Sequence, residues 1–417
     1  MTKHILVTCD YLPHILEYMQ PAIEEARQRG YGIRGAYFGN PARDVMRTMG
    51  ITDVTLYRAN WDQVVKPPVL RIPRVQAEKI LDTDRPHAVF IDMTGVGHAG
   101  GPWLEECRKR GITAIEFGGC RTWVYLFSKW SGAITDRYIK QLQKEGYGKH
   151  SDGLLAQTRA WQWVGLLTGD RLQKPLNEAA FKKSLGLKPN QKYVLFMGNW
   201  GVGAGYSNMA TADLAEWDQM ARDSGKVLVY SPHPTLFYID VPPQIIPKST
   251  ILTSSFPATL WGHKTIVVNT LDLVRASEFV IYQYHNATLA LCVAARKPTW
   301  LRRRAIGRGD PAKFSRVPWD GTSQDIIHRF VGWPYMERFI KMVSAEIRIE
   351  HCYRTAKELE LLFAGKLDFV CSEKQKARWE REWRMKLDGN AAKRVMDLID
   401  FPQRKRAGEK AAGGRDE

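Results

Sequence analysis

The chain has 417 residues, 44% apolar and 25% charged, and Lys and Arg exceed Asp and Glu by 17. That length suits two or three domains of ordinary globular composition, and no apolar run approaches the roughly 18 residues of a membrane span, which excludes a helical membrane protein. The positive excess favours an anionic partner such as nucleic acid, a membrane surface or a phosphorylated polymer.

The six cysteines (Cys9, Cys107, Cys120, Cys292, Cys352 and Cys371) are scattered and form no CxxC pair. They read as reduced thiols of a cytoplasmic protein, with no metal-ligand spacing and no disulfide framework. The N-terminus, MTKHILVTCDYL, has too short an apolar core for a signal peptide and predicts a first strand over 3–9. Asp10 to His14 form the next loop, 17–29 an amphipathic helix closed by Gly30, and 32–38 the second strand. This βαβ opening predicts a parallel, doubly wound sheet. Asp10 at the strand end and His14 in the loop are candidate general bases; alternatively Asp10 caps the helix and His14 packs.

Pro67, Pro68 and Pro73 mark a loop, 75–81 a helix, and 88–92 a strand ending at Asp92. Gly95, Gly97 and Gly100 then spell GxGxxG before a helix over 103–110, and Glu116 ends the next strand. Read literally this is a dinucleotide fingerprint, but it follows a late strand, and the acid lies nearer than the usual separation of about 20 residues. The preferred reading is an acceptor-side loop in which Asp92 or His98 faces a cleft, with Asp92 a further candidate base. The aromatic and basic segment 123–130 predicts a buried helix; Trp123 and Lys129 are also candidates to stack on or bind a base, a sugar or a lipid surface. A helix over 134–146 and a short strand over 154–157 complete this half.

The domain break falls near 165, giving an N-terminal acceptor-side unit over 1–165 and a nucleotide-binding unit over 166–365. A helix over 177–185 ends at Gly186, and a strand over 193–197 enters a loop with Gly198, Trp200, Gly201 and Gly203. Such a loop lets backbone approach a diphosphate or sugar closely, and it lacks the Lys-Ser/Thr of a P-loop, which disfavours an ATPase. A strand from 227 leads to His233-Pro234.

Residues 269–301 read as short helix (271–276), strand (278–282), polar loop, helix (289–295) and strand (299–301). Thr288 can cap the second helix, so Tyr284, His285, Asn286 and Thr288 lie between the carboxyl end of a strand and a helix N-terminus, where open α/β sheets bind phosphate-bearing ligands. Arg302, Arg303 and Arg304 follow, and guanidinium forks suit phosphate. Helices are predicted over 337–364, 373–387 and 391–399, those of 366–401 crossing back to the first unit, with a disordered polar tail over 402–417.

Ala276-Ser277-Glu278, Tyr284-His285-Asn286, Ala290 and Arg296-Lys297-Pro298 together resemble the donor-nucleotide segment of glycosyltransferase-B (GT-B) enzymes, on the side of the CDP-glycerol glycerophosphotransferases and nucleotide-sugar epimerases. Tyr193 to Trp200 resembles the first strand and loop of that family's nucleotide domain, and Val227 to Pro234 its strand with a His-Pro. The family's ribose-binding acid on the second helix is missing, since 289–291 are apolar.

The resemblance implies two doubly wound Rossmann-like domains facing a cleft. It implies a nucleotide sugar, UDP-linked or similar, as co-substrate, with no other cofactor and no metal. Its donor residues would be Gly198, Trp200, Gly201, Gly203, His233, Tyr284, His285, Asn286 and Thr288. A base after a strand of the first domain would activate an acceptor hydroxyl. The charge and the segment at 123–130 suggest a hydroxymethylated base in DNA as acceptor, as in bacteriophage DNA glucosyltransferases of this fold. An envelope polymer or lipid acceptor, and an inactive nucleic-acid-binding protein, are the rival expectations.

Overall fold

The computed structural model describes residues 3–9, 14–37, 40–56, 74–91, 100–117, 123–127, 160–198, 207–233, 237, 245–282, 289–301, 352–374, 377 and 386–401. The first half contains β1 (His4–Cys9), α1 (His14–Gln28), β2 (Gly32–Tyr37), α2 (Asn40–Thr48), β3 (Val54–Leu56), α3 (Arg74–Asp84), β4 (Ala88–Ile91), α4 (Gly100–Arg110), β5 (Thr113–Glu116), β6 (Trp123–Phe127) and β7 (Ala160–Trp163). Their strand order is β3-β2-β1-β4-β5-β6-β7. β1 to β5 run parallel, and β6 and β7 are antiparallel additions at one edge. The buried apolar runs of β1 and β4 follow from this position, because a central parallel strand is covered on both faces.

A 3-10 segment (Leu167–Gln173) leads into the second half. Here lie α5 (Glu178–Ser184), β8 (Lys192–Met197), α6 (Ser207–Asp223), β9 (Lys226–Ser231), β10 (Ile251–Ser254), the hairpin β11 (Thr259–Leu260) and β12 (His263–Lys264), and β13 (Ile266–Val267). α7 (Thr270–Ala276), β14 (Val280–Tyr282), α8 (Leu289–Ala294), β15 (Thr299–Leu301), β16 (Cys352–Tyr353), α9 (Ala356–Phe363) and α10 (Ala391–Asp400) follow. The second sheet is parallel throughout, in the order β13-β10-β9-β8-β14-β15-β16. The chain is therefore α/β with two separate doubly wound Rossmann-like sheets. Strands at Ile5 and Ala88 share one sheet with β5, and those at Val194, Val227 and Val280 the other.

The helix predicted over 123–130 is corrected. Residues 123–127 form β6, pairing with β5 through Glu116–Tyr125 and with β7 through Trp123–Trp163. Aromatic and β-branched side chains favour a pleated surface, and a free edge of β5 supplies it. β7 lies at 160–163, whereas the strand expected at 154–157 and the helix expected at 134–146 lie outside the described residues. The long helix or helix pair expected over 337–364 is also corrected in its described part. β16 occupies 352–353, and Thr355 starts α9 with a reciprocal capping box to Glu358. α1 begins at His14, a turn before the predicted start, with Pro21 inside it. α2, β3 and the strands between 251 and 267 had no counterpart in the sequence reading.

The two halves touch extensively. α10 packs its buried face (Ala391, Ala392, Val395, Met396, Ile399) into the same core as Leu16, Met19 and Ile23 of α1. Arg29 donates to Asp397 and Asp400 at 2.8 and 2.6 Å, Tyr31 donates its hydroxyl to Asp400, and Asp170 accepts from the amides of Ala391 and Ala392. Phe256, from the loop after β10, is buried in that first core, and Phe237 packs on it edge-to-face, 5.2 Å between centroids. No described helix is long and apolar enough to cross a membrane.

Candidate functional site

In a doubly wound sheet the strand order reverses beside the first strand, and the loops leaving the neighbouring carboxyl ends part there to open a crevice. The second sheet reverses at β8, which lies between β9 and β14. Tyr282 at the end of β14 stands in register with Met197 at the end of β8, and Met197 with Ser231 at the end of β9. The three strands thus finish level at one edge.

Gly198 is the first residue past β8. It is buried, and its amide donates to the Ser231 carbonyl at 2.8 Å. A Cβ placed there would lie 2.8 Å from the backbone nitrogen of His233 and 2.9 Å from the Cα of Pro232. The glycine is required by that close approach, which brings the two sequence-predicted donor residues Gly198 and His233 against one another. His233 is partly exposed at the same edge. Trp200, Gly201, Gly203, Tyr284, His285, Asn286 and Thr288 lie outside the described residues.

The far side of that loop is anchored. The Tyr282 hydroxyl and the Cys292 thiol of α8 form a buried 3.2 Å hydrogen bond. Burial pushes the Cys292 thiol above its ordinary range, so it is a packing group and not a nucleophile. Lys297, after α8, donates to the Ser277 carbonyl at 2.8 Å, and burial lowers its pKa. That contact ties the end of the donor-like segment to its beginning.

The first sheet reverses at β1, beside β4, with Val7 in register with Phe90. The Thr8 hydroxyl donates across the pair to the Phe90 carbonyl at 3.3 Å. Cys9 and Ile91 end these strands, and Asp10 and Asp92 are the next residues in the chain. Both acids lie outside the described residues, while His14 opens α1. The sequence suggests Glu116 only as the acid of a literal dinucleotide fingerprint, not as a base. It ends β5 in register with Ile91 and is 3% exposed, a buried acid at the same edge. Its signal was a carboxylate closing an apolar strand. Trp123 is in β6, two strands from β4, and Gly100 opens α4. Lys129, His98, Arg302, Arg303 and Arg304 lie outside the described residues. Among the described residues no three His, Cys, Asp or Glu side chains gather as a metal site.

Glu17 of α1 lies beside Thr270 at the start of α7. Desolvation pushes its pKa up to about 7, against the lowering effect of Thr270 and Arg171. Arg171, in the 3-10 segment, donates to Gln20 at 2.9 Å and to Asp272 at 3.4 Å.

No protein-family model and no curated protein matches the chain. Solved structures do. A Staphylococcus aureus MnaA–UDP complex covers 96% of this chain and 97% of its own at 12% identity, with a TM-score of 0.46. The Methanocaldococcus jannaschii UDP-GlcNAc 2-epimerase in complex with UDP-GlcNAc and UDP covers 96% and 100% at 12% identity, with a TM-score of 0.47. The spinosyn forosaminyltransferase SpnP covers 95% and 95% at 11% identity, with a TM-score of 0.45.

Proposed function

We propose that this chain is a nucleotide-sugar-dependent glycosyltransferase whose donor sits at the carboxyl edge of the second sheet. The observation that carries the reading is the apposition of Gly198 to the Pro232–His233 backbone at the point where an all-parallel sheet reverses. The missing Cβ lets the ends of β8 and β9 meet level at the carboxyl edge, where the crevice opens, and partly exposed His233 lies at that same edge. The resemblance of 193–200, 227–234 and 276–298 to GT-B donor segments supports the same reading.

In this mechanism the loops leaving β8 and β14 hold the donor, and backbone amides with Arg302, Arg303 and Arg304 stabilise the departing diphosphate. An acid following β1 or β4, Asp10 or Asp92, takes the acceptor proton, with His14 ranked behind them. Glu116, ending the next strand over from β4, is a fourth group for the same test. The acceptor we favour is a hydroxymethylated base in DNA, supported by the net charge of +17. The domain division near residue 165 belongs to this proposal.

The test is mass spectrometry of hydroxymethylated duplex DNA after incubation with a panel of nucleotide sugars. A mass increase of one sugar on the modified base, with release of the nucleoside diphosphate, supports the reading. Transfer to envelope polymers or lipids but not to DNA refutes the acceptor and keeps the transferase. Conversion of the donor's own sugar without transfer, or DNA retention with no donor turnover, refutes transfer itself.

A further inference from the structure

Two loops of the second half reach into the core of the first. Phe256 follows β10, is 1% exposed, and belongs to the apolar cluster that holds Cys9 of β1, Leu16, Met19 and Ile23 of α1 and Val395 of α10. Phe237 and Ala258 pack against the same cluster. Phe237 comes after β9, and it also packs on the core of the second sheet, which includes Phe196, Trp217 and Tyr230. The rings of Phe237 and Phe256 meet edge-to-face, 5.2 Å between centroids and inclined at 71°. A bridge of two aromatic rings therefore joins one core to the other.

Loops at a sheet edge ordinarily run over the surface, so a fully buried ring on one needs a cause. Here the backbone beneath the ring is fastened to the second sheet. The Ser254 hydroxyl donates to the Phe256 carbonyl, the Val268 amide donates to the Ser254 carbonyl at 2.9 Å, and the Thr265 amide donates to the Ala258 carbonyl at 3.0 Å. The hairpin of β11 and β12 then turns through Trp261 and Gly262, at φ +50° and +84°, and Leu260 and Trp261 fold back on the second core. Residues 256–258 are thus held by the second sheet on both sides, while the Phe256 ring lies in the first core.

We propose that Phe256 is a positioning residue: its ring, backed by Phe237, plugs the second half into the first and fixes the separation of the two carboxyl edges. This rests on the reading in which the donor lies at the edge of the second sheet and the base follows a strand of the first. The arm leaves β10, two strands from the reversal at β8, and the core that receives the ring includes the ends of β1 and the start of α1. The groups that react therefore stand on different bodies, and a misplacement of about 1 Å can cost about 10²-fold in rate.

Described hydrogen bonds between the halves gather where the chain crosses from one to the other. Asp170 holds the α10 amides, Arg394 donates to the Val164 carbonyl at 2.6 Å, and Arg171 and Lys174 reach Gln20 and Glu24 at 2.9 and 2.7 Å. Crossings of this kind tether two bodies and leave them free to pivot. Phe237 and Phe256 lie far along the chain from both crossings, and they supply the further point of contact that holds one angle.

Phe256→Ala in the full chain tests this with two kinds of readout. Without ligand, small-angle scattering should show a larger radius of gyration at unchanged far-UV circular dichroism, because the halves swing apart about their crossings. With UDP as the probe, calorimetry should give the wild-type affinity, since the proposed donor site belongs to the second half, while turnover in the transfer assay should fall by about 10²-fold. Phe256→Leu should recover most of both. Phe279→Leu is the control for lost packing, because Phe279 lies within the second core, 5.0 Å edge-to-face from Phe363; it should lower stability and leave scattering and turnover as they were. If Phe256→Ala does not fold, Phe237→Ala, whose ring is only partly buried, is read in the same way. Wild-type scattering in the folded variant overturns the plug. So does a loss of UDP affinity that matches the loss of turnover, a leucine variant no better than alanine, or an equal loss of turnover in the Phe279→Leu control. If the wild type transfers from no nucleotide sugar, the glycosyltransferase reading fails, and scattering alone decides the plug: a wider Phe256→Ala particle upholds it and an unchanged one overturns it.

Discussion

Gly198→Ala is the substitution whose consequence is most directly set by geometry. The added methyl would meet the His233 nitrogen at 2.8 Å and the Pro232 Cα at 2.9 Å, and the nearest Pro232 carbonyl carbon is 3.2 Å away. All three neighbours are backbone, so no side chain can rotate out of the way. Either β9 and its following turn move, or the first residue beyond β8 moves and the 2.8 Å bond from its amide to Ser231 lengthens. Overpacking of this kind costs about 1–3 kcal/mol. Gly186→Ala is the control. That glycine has φ of +75° and nothing near a would-be Cβ, so only the left-handed backbone penalises alanine, by about 1–2 kcal/mol. The two variants separate by function. Urea denaturation should show both destabilised, but calorimetric titration with the donor nucleotide should show weakened binding only in Gly198→Ala. His233→Ala should weaken donor binding by about 1–3 kcal/mol through loss of a hydrogen bond to the ligand. If Gly198→Ala is as stable as the wild type and binds donor equally well, the close approach at the end of β8 is not what shapes the site.

Replacing the proposed base separates it from its neighbours. Of Asp10→Asn, His14→Gln, Asp92→Asn and Glu116→Gln, the one carrying the base should lose about 10²–10⁴-fold in turnover with donor and DNA affinity kept; near-normal transfer in all four removes the base from the first sheet. At the α10 interface, the Tyr31 hydroxyl and Arg29 hold the Asp400 carboxylate, and these contacts outweigh burial and lower its pKa. A carboxylate with a depressed pKa contributes stability above its unfolded pKa, and that contribution is lost as the pH falls through the folded value. Asp400→Asn should therefore destabilise by about 1–3 kcal/mol at pH 7, as read by urea denaturation, with the difference from wild type shrinking in acid. A pH-independent difference would assign the loss to packing alone.

Much of the scaffold was legible in local pattern. Buried strands of a parallel sheet are continuous apolar runs, and 4–9, 88–91, 192–197 and 226–231 announce themselves in that way. The order of α7, β14, α8 and β15 was equally local, because Asn269 caps α7 from the sequence position before it and Pro298 interrupts just before β15. Gly198 was marked by composition, as part of a glycine-rich loop, but the reason for it is not local. Its neighbours Pro232 and His233 lie more than thirty residues on and reach it only because β8 and β9 pair in register.

The sequence by itself determined the alternation of strand and helix over 4–37, in β4, α4 and β5, and in α7, β14, α8 and β15. The tertiary structure alone decided what depends on partners distant in the chain. Residues 123–127 are a strand because β5 offers an unpaired edge, although their aromatic content also suits a buried helix. Glu116 joins the candidate bases only because the pairing of β4 and β5 brings its strand end level with that of Ile91. Glu17 is an ordinary amphipathic-helix acid by pattern, and burial in the folded molecule raises its pKa. Helix and strand periodicity is a property of neighbours along the chain, whereas desolvation and charge pairing are set by whatever the fold brings next to a side chain.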